Sequence, residues 1–320
     1  MTLHALADRL RASKGFAHKV DIQSAYAGLG NAHGSVRVGD DTAALPDGDG
    51  YLLFAIEGLL EEFVRAEPWF AGYCGVMVNL SDVAAMGGRP LAVVDAMWSA
   101  GAERAALIWD GMRAAAMAYD VPIVGGHTNV RSDGDRLAVA VLGRANRLLT
   151  SFDARPGDEL LVAIDLRGEY FGPYPYWNCS TQTPPSQLRA DLEVLATLAD
   201  DGLCRAAKDV SMGGLVGTLL MLLEASGIGA RVELDAIPKP ADVRLEKWLG
   251  SFPSYGYVLA VAAERSAEVR RRFIARGIAC GTIGACTREP VLTIARGEEV
   301  EPFWDLARSP FTGVAPYVAH

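Results

Sequence analysis

The chain lacks any Cys-x-x-Cys pair; its five cysteines are scattered at positions 74, 179, 204, 280 and 286. An odd, dispersed set of this kind indicates neither a disulfide framework nor a zinc site. Histidine is also scarce, with five among 320 residues, which argues against a histidine metal cage. No uncharged apolar run approaches the ~20 residues that span a bilayer. The first ten residues carry charges inside their apolar pattern, so no signal-peptide core is expected. Basic charge is in deficit: 30 Lys and Arg against 39 Asp and Glu give a formal net charge of −9. A sequence-independent nucleic-acid binder needs the opposite balance. No Gly-Lys-Ser/Thr follows a glycine pair, which excludes a P-loop. There is no short-period repeat. These absences leave a soluble protein of a reducing, cytoplasmic setting, with no nucleic-acid or membrane partner expected.

What remains is a chain that is half hydrophobic and long enough for two domains of ordinary size. The turn at Ala154-Arg-Pro-Gly-Asp158 places the division near residue 150, giving domains 1–150 and 151–320. An amphipathic helix is expected over 2–13, with Leu3, Leu6 and Leu10 on one stripe. A polar, Gly-containing segment, 13–34, follows it. In the first domain, strands are expected at 35–38, 51–56, 91–98, 121–124 and 136–146. Helices are expected there at 70–86 and 102–119. The second half should hold strands near 159–165, 229–235, 256–262, 279–286 and 290–295, and helices over 186–199, 214–226 and 264–276. Residues 170–185, rich in Pro, Tyr and Asn, read as an irregular loop whose aromatics suit either a planar ligand or the core. Strands and helices mix without strict alternation, which favours an α+β fold over a doubly wound sheet.

Within the apolar helix 70–86, Asn79 and Asp82 stand three residues apart and therefore on one face. An ionised Asp among Val, Leu and Ala is costly to bury alone. No Lys or Arg lies between Arg65 and Arg89. A metal ion, a charge from another segment, or exposure at a helix end would each answer that cost. Asp40 and Asp41, after the expected strand 35–38, repel one another unless solvent or a hard cation intervenes. Glu57 ends the strand 51–56, again beside apolar residues. Three acidic positions beside apolar elements within so short a stretch suggest a magnesium site.

Gly125, Gly126, His127 and Thr128 follow the strand 121–124 and should break it. Paired glycines let backbone N–H groups approach an anion, but they also make tight turns. Asp209 precedes Ser211 and the Gly213–Gly214 pair at the start of the helix 214–226. Ser211 or Gly213 can cap that helix, and its N-terminus then faces an anion. Lys14 and Lys19 belong to a small basic stretch that either folds over phosphates or stays a solvated loop.

The order of these segments resembles the superfamily of aminoimidazole ribonucleotide (AIR) synthetase, selenophosphate synthetase, thiamine monophosphate kinase and the hydrogenase maturation dehydratase. The matching stretches are Asp40-Asp41-Thr42-Ala43, Ile56-Glu57, Asn79 to Gly88, Gly125 to Thr128, and Asp209 to Gly214. Ser254-Tyr255-Gly256 and Thr282-Ile283-Gly284 look like later landmarks. The resemblance implies a two-domain AIR-synthase-like fold, α+β throughout. Its N-terminal mixed sheet forms a dimeric, barrel-like interface, and its C-terminal domain is an α/β sandwich. It further implies ATP as co-substrate, Mg2+ bridging the triphosphate, a small-molecule substrate and a homodimer. On that pattern the metal ligands are Asp40, Asp41, Glu57, Asp82 and Asp209. Asn79, Gly125, Gly126, His127, Thr128 and Lys19 would contact the nucleotide, and Asp209 and Lys14 would serve catalysis. Phosphoryl transfer needs positioning and charge neutralisation more than covalent help, so such a set suffices without a P-loop.

The departures bear on substrate. No Cys precedes Cys74, the chain ends Pro316-Tyr-Val-Ala-His320, Met212 interrupts the Asp-Ile-Ser-Asp-Gly of thiamine phosphate kinases, and Glu57 replaces Asp. The expected activity is a kinase or ATP-using synthetase; the alternative is a non-catalytic ATP-binding homologue with an accessory role.

Overall fold

The computed structural model describes residues 1–29 and 36–314. The expected strand 35–38 begins on Ser35, outside the described residues, and 36–38 form no strand. The chain divides into two compact units. One comprises 41–148 with 181–200, and the other comprises 1–40, 149–180 and 201 onward. The chain passes between units at Leu148 and Leu149, while the first forty residues group with the later part of the chain.

Residues 1–29 form three helices, α1 (Leu3–Arg11), α2 (Lys14–Val20) and α3 (Ile22–Leu29). The expected stripe Leu3, Leu6 and Leu10 is buried. Within the polar segment 13–34, the described residues are largely helical, as α2 and α3. Ser13 caps α2 by accepting from the Phe16 N–H, and Phe16 inserts between Phe303 and Phe311 at ring-centroid distances of 5.8 and 5.2 Å. One buried aromatic anchors a helix too short to stand alone.

The unit around 41–148 contains β1 (Ala43–Asp47), β2 (Gly50–Gly58), α4 (Glu61–Ala66), α5 (Pro68–Ala85), β3 (Arg89–Trp98), α6 (Ala102–Tyr119), β4 (Ile123–Asn129) and β5 (Arg136–Ala145). Its sheet runs β1-β2-β5-β3-β4, parallel only between β3 and β4. This is the mixed sheet expected, but it stays open within the chain, with β1 and β4 as edges. Period-2 alternation sorts its residues. Leu53, Met97, Leu137, Val139 and Val141 are buried, and the glycine-bearing turn of α5 at Gly75 lies over Val139 and Leu137. The opposite face presents Leu45, Phe54, Ile56, Val94 and Leu142, each 39–64% exposed. β4 does not break at its glycines. Parallel pairing with Val94–Trp98 carries it through Gly125 and Gly126, so ladder hydrogen bonds override a weak local propensity.

The later unit holds β6 (Glu159–Ile164), β7 (Glu169–Tyr170), β8 (Tyr176–Asn178), β9 (Ala206–Asp209), α8 (Gly214–Ser226), β10 (Gly229–Glu233), β11 (Phe252–Pro253), β12 (Gly256–Val261), α10 (Ala263–Ile274), β13 (Ala279–Thr287), β14 (Val291–Arg296) and β15 (Glu299–Asp305). The helix α7 (Pro185–Asp200) belongs to the first unit, and α9 (Leu245–Leu249) to this one. Seven strands form one sheet in the order β15-β14-β10-β13-β6-β12-β9. The loop expected over 170–185 contributes β7 and β8 to a small sheet with β11. Tyr174 and Tyr176 stack there, with centroids 5.4 Å apart. Among the described residues no helix is long and apolar enough to cross a membrane.

Candidate functional site

In the first unit the site grows out of α5. The helix starts with Pro68 at its first turn and is buried nearly all round, as its composition demands. Asn79 is wholly buried and Asp82 is 7% exposed. The Asn79 Nδ2 donates to the Gly75 carbonyl at 2.7 Å, while its Oδ1 has no hydrogen-bond partner. Asp41, leading into β1, brings a carboxylate oxygen within 4.8 Å of one from Asp82. Next to Asp41, the buried Thr42 hydroxyl also lacks a partner. Two ionised carboxylates at that separation repel by roughly 3 kcal/mol at an effective dielectric of 20. The donor set is all oxygen, and an amide oxygen one helical turn before Asp82 and a hydroxyl next in sequence to Asp41 are left over. Hard cations such as Mg2+ take that chemistry, so the residues fit the metal that the motif order implies.

The adjacent Asp40 does something else. Its two oxygens accept from the Ser151 N–H at 2.8 Å and the Ser151 hydroxyl at 2.6 Å. Glu57, exposed near the end of β2, does not join the Asp41–Asp82 pair. Gly125 to Thr128 lie exposed on the edge strand β4, with the His127 ring 5.7 Å from that of Trp98.

In the later unit Asp209 ends the edge strand β9 and is 4% exposed. The Thr218 hydroxyl of α8 donates to the Asp209 carbonyl at 3.2 Å and accepts from the Ser211 N–H at 3.4 Å. Gly213 is the N-cap of α8, and no side chain caps it; Ser211 serves the loop. The Gly214 N–H donates to the Ser211 carbonyl at 2.8 Å; the next N–H groups of an uncapped first turn are the ones that water or a ligand can meet. α2 packs against this loop. A Cβ on Gly15 would fall 2.2 Å from the Met212 carbonyl oxygen, so only glycine permits the approach. The Lys19 stem lies against Gly213, 3.3 Å from where its Cβ would be, and His18 Nδ1 is 3.2 Å from Met212 Sδ. Lys14, at the other end of α2, is exposed.

One residue that sequence reasoning passed over is Asp95, in β3. It is 6% exposed, neither carboxylate oxygen has a hydrogen-bond partner, and burial pushes its pKa up to about 6. The signal was present as the one acid inside Leu91-Ala-Val-Val-Asp-Ala-Met-Trp98, an otherwise apolar strand.

Two family models match this chain: "AIR synthase related protein, N-terminal domain" over residues 39–145, and the corresponding C-terminal domain over 179–296. The uncharacterized protein sll0787 of Synechocystis sp. is 46% identical over 95% of this chain and 96% of its own length. Phosphoribosylformylglycinamidine synthase subunit PurL of Ignicoccus hospitalis is 28% identical over 72% of this chain, which spans 35% of that protein. Among solved structures, T. maritima PurL complexed with ATP has a TM-score of 0.75 at 18% identity, covering 99% of this chain and 53% of PurL. AaThiL complexed with AMPPCP and TMP has a TM-score of 0.67 at 19% identity, over 87% of this chain and 94% of AaThiL. Likeness at such identities establishes the two-domain α+β fold, and the two family models with the Synechocystis relative establish the lineage: the chain belongs to the AIR synthase-related family.

Proposed function

We infer that this protein is an ATP- and Mg2+-dependent phosphoryl-transfer enzyme, a kinase or ATP-using synthetase acting on a small metabolite. The observation that carries the reading is the approach of Asp41 to Asp82, with the unpartnered Asn79 Oδ1 one turn earlier in the same helix. An apolar helix has no structural use for that grouping, whereas a divalent cation bridging phosphates does. In this reading Asp41, Asp82 and, by its place in the motif order, Asp209 hold Mg2+. Asn79 and the Gly125–Thr128 strand contact the nucleotide. Lys19, beside the uncapped start of α8, neutralises phosphate charge, and Lys14 with Asp209 completes the catalytic set. Solved relatives of similar fold carry ATP, ADP or AMPPCP. The active form is a homodimer that covers the apolar face of the first sheet. A reducing cytoplasm suits the five cysteines, all free and buried.

A second reading, a nucleotide-binding protein without turnover, draws on Asp40 and Glu57. Asp40 is engaged with Ser151 and Glu57 stands apart, which leaves fewer carboxylates for a second metal. Thermal unfolding with ATP, with and without magnesium, tests the binding. A ligand specific to the native state should stabilise by about 2.7 kcal/mol at 100-fold excess over its Kd. That gain should vanish with chelator; equal stabilisation in both conditions would refute the metal bridge. ADP release across candidate metabolites then separates enzyme from non-catalytic homologue.

A further inference from the structure

The later unit has a cleft that the phosphoryl-transfer set does not use. It holds about 390 Å3, within the roughly 300–1,000 Å3 of small-molecule sites. It is lined by α1, by the turn Leu234–Ala236 that follows β10, and by the segment 237–246. Leu6, Leu234 and Ile237 give it an apolar floor, each at most 5% exposed. None of Lys14, Lys19 or Asp209 lines it.

The charges around this cleft do not cancel. Lys239, Arg244 and Arg296 face Asp235 and Glu246 there, in a protein whose net charge is −9. Both acids are already engaged. Arg296 Nε holds Asp235 Oδ1 at 3.2 Å, and Arg9 of α1 holds Glu246 Oε1 at 2.7 Å, with Arg244 3.8 Å from the other Glu246 oxygen. Lys239 is left over. It is half-buried, its Nζ donates to the Pro240 and Val243 carbonyls at 3.1 and 2.9 Å, and among the described residues no carboxylate pairs with it. An ammonium has three donors, so one N–H and a full positive charge remain for solvent or a ligand. The position is also held. Pro238 and Pro240 restrict the backbone on either side of Lys239, and the buried Trp248 donates its indole N–H to the Pro238 carbonyl at 2.9 Å. A cation so placed beside an apolar hollow is preorganised for an amphipathic anion.

We propose that this cleft binds a small monocarboxylate, with the carboxylate on Lys239 and an aliphatic or aromatic body on Leu6, Leu234 and Ile237. A phosphate monoester fits less well. It brings about two negative charges and three acceptor oxygens to one remaining donor, with Asp235 and Glu246 on the same lining. A neutral apolar molecule would leave the Lys239 charge unanswered. The proposal does not rest on the nucleotide reading, since no residue of that set takes part.

The test uses the whole chain as wild type, Lys239→Met and Arg244→Glu, each checked for native circular dichroism. Hexanoate and its neutral analogue hexanamide are titrated by saturation-transfer NMR, and inorganic phosphate is tried as a competitor. Wild type should bind hexanoate about tenfold tighter than hexanamide, the worth of one charge-assisted hydrogen bond. Phosphate at equal concentration should fail to displace hexanoate. Lys239→Met should lose the preference for the acid while binding hexanamide as wild type does. Arg244→Glu changes a side chain that is 83% exposed, so the fold should be untouched. It should weaken hexanoate by about threefold through charge at the rim and leave hexanamide unchanged. A natively folded Lys239→Met with wild-type hexanoate affinity would put the binding elsewhere and overturn the proposal. Should Lys239→Met not fold, an unchanged Arg244→Glu would have the same force. Absence of saturable hexanoate binding, equal affinity for acid and amide, or displacement by phosphate would each overturn it as well.

Discussion

Two helices of this protein are buried on nearly every side, and each carries an acidic residue, but the two carboxylates are handled in opposite ways. In α8, Glu224 is 4% exposed and accepts from the Phe311 N–H at 2.6 Å, the Thr312 N–H and hydroxyl at 2.7 and 2.6 Å, and the Gly313 N–H at 3.3 Å. The chain itself brings four donors to that charge. In α5, Asp82 faces another carboxylate, Asp41, and its helix neighbour Asn79 keeps an oxygen without a partner. A carboxylate that closes a structure is saturated by donors, whereas two carboxylates brought close together are a grouping that suits a cation. Burial and composition do not tell these helices apart; the second carboxylate near Asp82 does.

The comparison breaks most visibly at Glu224. Glu224→Gln puts an NH2 group among four donors and should destabilise the fold by about 3 kcal/mol, in the range of buried charge-assisted bonds. Magnesium-dependent ATP affinity per folded molecule should stay within twofold. Urea unfolding gives the first number and calorimetry the second. A near-neutral Glu224→Gln would mean that saturation by donors is no mark of a structural carboxylate.

Asp95 is expected to show the reverse sign in stability. Its folded pKa, about 6, lies above the ordinary 3.8, so ionisation costs the folded state more than the unfolded one. The cost is absent below pH 4, grows between pH 4 and 6, and is complete above 6. Two pKa units correspond to at most about 2.7 kcal/mol, and relaxation will lower that toward 1–2. Asp95→Asn should therefore be the more stable protein at pH 7 and lose most of its advantage at pH 4. A constant difference across that range would remove the charge from the explanation.

Much of this frame is legible in the sequence where periodicity is strong and the element long. The helix expected at 102–119 is observed as Ala102–Tyr119, and that at 214–226 as Gly214–Ser226. Asn79 and Asp82 stood out because an acid inside an apolar helix contradicts its surroundings. What escaped depends on partners far along the chain. α2 contains a glycine and three basic side chains, and nothing local announces that Phe16 will anchor it on Phe303 and Phe311. The Gly125–Gly126 pair signals a break, yet the neighbouring strand holds it extended. Asp40 and Asp41 are equivalent as letters; the hydroxyl and N–H of Ser151, 111 positions away, give Asp40 its own partners.

Asp82→Asn sharpens the same contrast with little change in folding. Removing one charge from a repelling pair should leave the apo protein as stable as wild type or up to about 1 kcal/mol more so. Affinity for ATP with magnesium should fall more than tenfold, over 1.4 kcal/mol. Asp41→Asn should do the same, and the double variant should lose less than the sum, as ligands of one ion are coupled. Titrations with and without magnesium measure all three; an unchanged magnesium dependence would take Asp82 out of the site.

The smallest effect on folding is expected on the open face of the first sheet, where Phe54 and Ile56 are 49% and 64% exposed. Single apolar residues on a surface need no explanation, but Leu45, Phe54, Ile56, Val94 and Leu142 share one face of one sheet. A contiguous apolar face of that kind ordinarily marks an interface, and a second copy of the same face is self-complementary under two-fold symmetry. Ile56→Asp should change the folding free energy of the subunit by no more than about 0.5 kcal/mol, as exposed positions do. It should nonetheless convert a dimer to a monomer, because two new charges would meet across the axis without partners. Sedimentation velocity of wild type and Ile56→Asp at micromolar concentration decides it. A wild type that sediments as a monomer removes the dimer, and a variant that stays dimeric moves the interface to another surface.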